Sequence, residues 1–474
     1  MKIELSNFLD SSCSKMKEIV SILKKNFDYV SVLGTDCHGK QYRVNKKSTG
    51  VADSRWNERG FVIRAAKDGF YYEFSTDSIT DTVQVADDFS KNSVKAAFFE
   101  TENFKVKRLP IIEEEMLQAD FRGEVLLNPD ECNASQKILD SMNNIKNKIV
   151  AVSEKIINCE VVYEHVNVSK IFVSDKKTLS QSYIWSQGYL FVYATEEDSI
   201  KYNYDTFSGL SGMELLKDME NRCEDTAHTA LKILQSERIK PGEYEVLCSP
   251  EVAGLIAHEA FGHGVEMDMY VKNRAKSVEY MNKEIASPLV TMHDGAASVK
   301  HVSSYFFDDE GVLAQDTVII KDGILINGLC DQVSALELGV VPTGNGKRES
   351  FRRKAYTRMT NTFFSKGKDK FEDMVKSIKH GYYLEKEESG MEDPKNWGIQ
   401  CVVLYAREIK NGRLTDNYVS PVIMTGFVPD LLKSISMVSD DFALSGSGAC
   451  GKGYKEFVKV SCGGPCIKAR AKLG

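Results

Sequence analysis

The chain has 474 residues, 42% of them hydrophobic, and its 61 basic residues stand against 68 acidic ones for a formal net charge of −7. That length supports two or three domains with proper cores, and an acidic balance without basic blocks gives no reason to expect a nucleic-acid or anionic-membrane surface as a partner. Eleven cysteines scattered from Cys13 to Cys466 read as reduced thiols rather than a disulfide framework. The opening MKIELSNFLDSSCSKMKEIV lacks a secretory signal and no apolar run reaches bilayer length, so the expected location is cytoplasmic.

In chain order, the periodicity predicts an amphipathic helix over residues 14–25, strands over Phe27–Leu33 and Gly60–Ala65, and a Lys67-Asp68-Gly69 turn into a strand over Phe70–Phe74. Residues 101–120 mix charge with a proline and read as a connection, and residues 136–150 are helical again. Cys159–Val173 and Tyr183–Thr195 alternate in the manner of strands, so sheet is expected to about residue 207. Met213–Glu237 then carries apolar residues at helical spacing. Beyond Glu243 the sequence is strand-rich, with hairpin signals at Lys321-Asp322-Gly323 and Asn411-Gly412. The expected fold class is α+β: an α/β N-terminal portion, residues 1–225, with a division near 100–120, and a β-rich C-terminal domain, residues 226–474.

One well-signalled helix interrupts that domain. Glu243–Cys248 reads as a strand, Ser249 can cap, Pro250 fits the first helical position and Glu251 favours the positive helix end. The stretch LIAHEAFGHGVEMD, Leu255–Asp268, follows. Histidines at i and i+4 lie about 40° apart on a helix and can share one ion. Here His258 and His263 are five apart, which on a regular helix is about 140°, too far round for both imidazoles to reach one zinc. A π-bulge absorbs one extra residue and restores a common face. The HExxxH spacing therefore predicts a distorted helix, with Gly262 and Gly264 giving it backbone freedom. Otherwise His258 is a core histidine and His263 a cation at a helix end. Glu259, aimed differently by its neighbouring position, is the general-base candidate. Glu266 and Asp268 read chiefly as solvated charges, the other reading being acceptors that orient His263.

A catalytic zinc keeps three protein ligands and one open position. The C-terminal GSGACGKGYKEFVKVSCGGPC offers Cys450, Cys462 and Cys466. Cys450, flanked by Gly448 and Gly451, is the first choice and Cys462 the second. Gly446, Gly448 and Gly451 also spell GxGxxG, and Gly446–Lys452 spells GxxxxGK. A phosphate loop needs serine or threonine where Gly453 stands, and no helix signal follows. A glycine-rich loop between strands is the better reading.

The HEAFGHGVEMD motif, Asp308-Asp309-Glu310-Gly311, the run VPTGNGKRESFRRKAYTRMTNT from Val341 to Thr362, and GACGK from Gly448 to Lys452 together resemble the TldD/PmbA metallopeptidase family, and within it the TldD half. The resemblance covers the C-terminal half and is looser before it. It implies zinc as cofactor, held by His258, His263 and Cys450, with Glu259 catalytic. It further implies hydrolysis of small or unfolded polypeptides in a two-subunit cavity, in a dimer with a PmbA-type (TldE) paralogue or with a second copy. Asn345, Arg358 and Asn361 in the matched run are candidates for holding substrate backbone or carboxylate. Two other functions fit less well: a non-enzymatic, protein-binding gyrase modulator, and a structural zinc site closed by Cys462 or Cys466. Neither uses Glu259.

Overall fold

The computed structural model describes residues 1–97, 107–454 and 456–474. The fold is α+β, an α/β N-terminal part joined to a β-rich C-terminal region. The N-terminal elements are α1 (Asn7–Leu23), β1 (Tyr29–Asn45), β2 (Thr49–Asp53), β3 (Glu58–Lys67), β4 (Phe70–Thr76), α2 (Thr82–Ala97), β5 (Leu117–Arg122), α3 (Ala134–Ala151), β6 (Ile156–Ser174), β7 (Lys177–Glu196), β8 (Ser199–Gly209) and α4 (Leu215–Leu234). All eight strands form one sheet in the order β4-β3-β1-β6-β7-β5, with β2 on β1 and β8 on β7. β1 pairs antiparallel with β6 from Ser31 opposite Ser174 to Asn45 opposite Glu160, so chain on either side of residues 101–120 shares that sheet.

Residues 101–106 of the expected connection lie outside the described residues. Its end is not a connection: Leu117–Arg122 is a strand, parallel to β7. There Leu117, Ala119 and Phe121 alternate with polar residues and turn toward Phe172, Phe307 and Phe351.

The period-2 geometry of a strand explains how the sheet is covered. Even-numbered β1 residues, Val30, Val32, Tyr42 and Val44, face α1 to α4. Odd-numbered Leu33 and Cys37 face C-terminal residues, among them Phe307 and Val302. Burial on both faces is why the first half of β1 is a continuous buried run.

The C-terminal region contains two larger sheets. One has six strands in the order Ile324–Leu325, Thr317–Lys321, Met292–Asp294, Asn361–Phe364, Ser461–Gly464, Ala443–Ser445. The other has nine: Glu387–Glu392, Gly398–Val403, Val422–Phe427, Ile467–Leu473, β9 (Gly242–Cys248), His380–Leu384, Ala406–Lys410 and Arg413–Val419 in order, with Met437–Val438 beside Ile467–Leu473. Between them lies the main core, around Val252, Ile256, Phe261, Met292, Met359, Phe364 and Leu384. Among the described residues no helix is long and apolar enough to cross a membrane.

A charged clamp also joins the two parts. Arg64 on β3 donates through Nε to Glu73 Oε1 at 2.7 Å and through Nη2 to Glu310 Oε1 at 2.5 Å, and Arg348 Nη1 donates to Glu73 Oε2 at 3.1 Å. Burial pushes the Glu73 carboxyl up, but the Arg64 and Arg348 guanidiniums outweigh it and bring it down from 4.5 to about 2. A carboxylate with a depressed folded pKa contributes stability that is present above its unfolded value and lost as pH falls through the folded one. Glu73→Gln is therefore expected to lower the unfolding midpoint at neutral pH, and the gap from wild type should close as pH falls from about 5 toward 2. Thermal melts across that range test this; a gap independent of pH would refute it.

Candidate metal and catalytic site

β9 ends in a helix whose start follows the cap signals. Ser249 Oγ accepts from the Val252 N–H at 3.3 Å and donates to the Glu385 carbonyl at 2.8 Å. Pro250 opens α5 (Pro250–Leu255), with Glu251 in its first turn. The helix then widens into a π-helical segment, Ile256–Gly262, and tightens into a 3₁₀ turn, His263–Val265, before Glu266 turns extended. This is the distortion that the five-residue spacing predicts. Two glycines seat it: a Cβ on Gly254 would lie 2.4 Å from the Gly463 backbone nitrogen, and one on Gly262 would lie 2.2 Å from Met359 Sδ. The helix thus packs at glycine distance on the Ser461–Gly464 strand.

The π turn brings the two imidazoles together, with ring centroids 5.2 Å apart and planes at 79°. Cys450 arrives from a two-stranded ribbon, Ala449–Lys452 against Glu456–Lys459. Its Sγ stands 3.3 Å from His263 Nε2. The ligand atoms of His258, His263 and Cys450 all lie within 4.8 Å of one another. Glu259 Oε1 is 3.9 Å from His258 Nε2 and Glu259 Oε2 is 3.9 Å from His263 Nε2. The Glu259 stem packs on Gly390 of the Glu387–Glu392 strand, where a Cβ would come within 2.8 Å of Glu259 Cγ.

Burial pushes the Cys450 thiol up, but His263 and then His258 outweigh it and bring it from 9.0 down to about 4. The two imidazoles thus favour its charged, metal-binding form. Burial lowers His263, yet Glu266 and Cys450 raise it well above its ordinary value. Glu266 Oε2 faces His263 Nδ1 at 3.1 Å and accepts from Lys452 Nζ at 2.9 Å, and Lys452 also donates to Asp268 Oδ1 at 2.6 Å. Reading Glu266 and Asp268 as solvated charges is thus corrected: they are 1% and 7% exposed. Cys462 and Cys466 stand outside the three-residue group; burial pushes both thiols well above the usual range.

The sequence of residues 241–470 matches the family model described as the PmbA/TldA metallopeptidase C-terminal domain. A metalloprotease of Methanocaldococcus jannaschii is 30% identical over 373 residues, 76% of this chain and 80% of the relative. A zinc metalloprotease TldD homologue of Saccharolobus solfataricus is 33% identical over 238 residues, 50% of this chain and 52% of the relative. The chain belongs to the TldD/PmbA metallopeptidase family. Its fold agrees: the crystal structure of TldE from Thermococcus kodakarensis superposes with a TM-score of 0.75 at 17% identity, covering 97% of this chain and 100% of that one.

In this TldD/PmbA chain, the three candidates of the Val341–Thr362 run, Asn345, Arg358 and Asn361, are buried and engaged within the protein. Arg358, 1% exposed, donates to the Cys450 carbonyl at 2.5 Å and the Glu456 carbonyl at 3.0 Å, and its Nε lies 3.9 Å from Glu266 Oε1. Asn345 donates to Asp294 Oδ1 at 2.8 Å and to the Arg358 carbonyl at 3.0 Å. Asn361 donates to the Gly295 carbonyl and Ser304 Oγ, both at 3.0 Å, and accepts from Ser461 Oγ at 2.6 Å. The sequence reading missed Lys452, which it treated as the end of a false phosphate-loop pattern; the lysine closes the Glu266–Asp268 pair instead. Arg358→Met leaves two buried carbonyls without their donor and removes one of the cations beside Glu266, so a loss of about 1–3 kcal/mol is expected. Denaturant unfolding measures it, and an unchanged midpoint would show that Arg358 holds nothing.

Proposed function

We propose that this chain is the motif-bearing, TldD-type subunit of its family, a zinc-dependent peptidase that hydrolyses peptide bonds of small or unfolded polypeptides. His258, His263 and Cys450 are its metal ligands and Glu259 its general base. The observation that carries this is the convergence of three ligand atoms within 4.8 Å, from segments nearly two hundred residues apart (|i−j| = 187 for Cys450 and His263), beside a carboxylate 3.9 Å from both imidazoles. Two imidazoles and a thiolate form a donor set that suits zinc, and the relative from Saccharolobus solfataricus is named a zinc enzyme.

When bound, zinc would supply Lewis-acid polarisation of the scissile carbonyl. Glu259, 24% exposed at its side chain, takes the proton of the attacking water and returns it to the leaving amine. Glu266 holds the far nitrogen of His263 and fixes the ring. Arg358 positions the Cys450 strand through its carbonyl, so we assign it, with Asn345 and Asn361, to building the site rather than to touching substrate. The Glu387–Glu392 strand ends its sheet beside Glu259. Its outer edge suits an extended peptide added as a further strand, read through its backbone and tolerant of side chains. A dimer with a TldE-type paralogue, with which the likeness to TldE is consistent, or with a second copy, a cytoplasmic location and a functional boundary near residues 225 and 226 complete this proposal.

Glu259→Gln is expected to keep its zinc and to lose cleavage of an unfolded peptide by about 10²–10⁴-fold, measured with the paralogue present. Retained cleavage would remove Glu259 as the base. Cys450→Ser should release zinc in an elemental assay while Cys462→Ser keeps it; the opposite result would exchange their roles.

A further inference from the structure

Away from the metal site, between the N-terminal sheet and the C-terminal domain, lies a cavity of about 100 Å³ walled by Val166, Val168 and Trp185 on one side and Tyr305 and Val458 on the other. This is well above the roughly 10–15 Å³ that one water needs, so a molecule of several heavy atoms fits. Two of its lining residues are buried lysines, Lys347 and Lys459. Lys347 Nζ donates to Ser303 Oγ at 3.2 Å, the Met359 carbonyl at 3.3 Å and the Lys459 carbonyl at 2.5 Å. Lys459 Nζ donates to the Gly448 carbonyl at 2.9 Å and to Gln187 Oε1. Every acceptor is neutral, and among the described residues neither amine has a carboxylate within 4.0 Å.

Buried ammonium groups without a countercharge are costly. The cost shows here: burial, reinforced by Arg358 and opposed by Asp294 and Asp309, pushes Lys347 down to about 7, and burial, opposed by Glu164 and reinforced by Arg55 and Lys347, pushes Lys459 down to about 7. A third donor belongs to a residue of the same wall. Trp56 lines the cavity, and its indole N–H is closed off from solvent and has no acceptor.

The carboxylates that line the cavity are already taken. Asp309 pairs with Lys170 and accepts the Arg348 N–H. Asp308 accepts the N–H groups of Glu310, Val312 and Gly346. Glu58 and Glu349 accept those of Phe351 and Phe457.

We propose that this cavity is a binding site for a small carboxylate, whose charge is met by Lys347 and Lys459, whose oxygen accepts from the Trp56 indole, and whose short apolar tail lies on Val166, Val168 and Trp185. The site is independent of the peptidase reading, although the Gly448 carbonyl held by Lys459 is only two residues from Cys450. It also gives a role to two stretches conspicuous in the sequence, Asp308–Gly311 and Val341–Thr362, which meet there through Asp308, Asp309 and Lys347.

Trp56 and Trp185 are two of the chain's three tryptophans, so intrinsic fluorescence reports on the cavity. Titration of the full-length protein with sodium propionate is expected to give a saturable change that propionamide and sodium chloride of matched ionic strength do not give. Lys347→Met and Lys459→Met should each weaken propionate binding by roughly tenfold or more, with folding verified by circular dichroism. Trp56→Phe is a second variant in case a lysine replacement does not fold, and should also bind more weakly. An equal response to propionamide, or undiminished affinity in any folded variant of the three, would overturn the proposal.

Discussion

The structure depends on one buried carboxylate. Glu266 faces His263 Nδ1 and accepts from Lys452, and it lies within 3.9 Å of the Arg358 guanidinium. It therefore fastens the end of the motif helix to the ribbon that carries Cys450. Cations on three sides outweigh the cost of burying it and hold its carboxyl far below the usual range. Arg358 completes the loop by gripping the Cys450 backbone itself. Cys450 and the His263 imidazole are thus placed by a network that does not involve Glu259.

The packing around that network sets where the chemistry can occur. The helix lies between two sheets, in glycine contact with one and with Glu259 resting on Gly390 of the other. Glu259 stands beside Nε2 of both histidines, whereas Glu266 faces Nδ1 of His263. A rigid side carrying the candidate ligands and a more exposed side carrying Glu259 follow from the same few contacts.

Much of this was legible because the sequence states it locally. The cap at Ser249, the five-residue histidine spacing and the glycines forecast a widened helix, and strand alternation forecast β6 to β8. Other features were hidden by polarity. α2 is announced by Asp81, which accepts from the Val83 and Gln84 N–H groups, and by buried Ala86 and Phe89, but the intervening aspartates and serines blur its apolar face. α1 begins at Asn7 rather than near residue 14, because its first turns bury only Leu9 among polar residues. Composition alone could not separate Cys450 from Cys462, since the difference lies in which strand reaches His263. Nor could it show that Arg358, Asn345 and Asn361 face inward: several of their partners are backbone carbonyls or side chains far away in the chain, a relation that no periodicity encodes.

The two-sided covering of the N-terminal sheet bears on how this protein could be divided. Leu33, Val62, Phe172 and Leu179 on its second face are covered by Phe307 and Phe351 from the other half of the chain, beside Leu117, Ala119 and Phe121 of β5. A fragment ending after α4 would present that apolar stripe to water and invite self-association. The halves are therefore poor candidates for separate life as modules, and recombination among relatives would have to exchange both faces of the seam together.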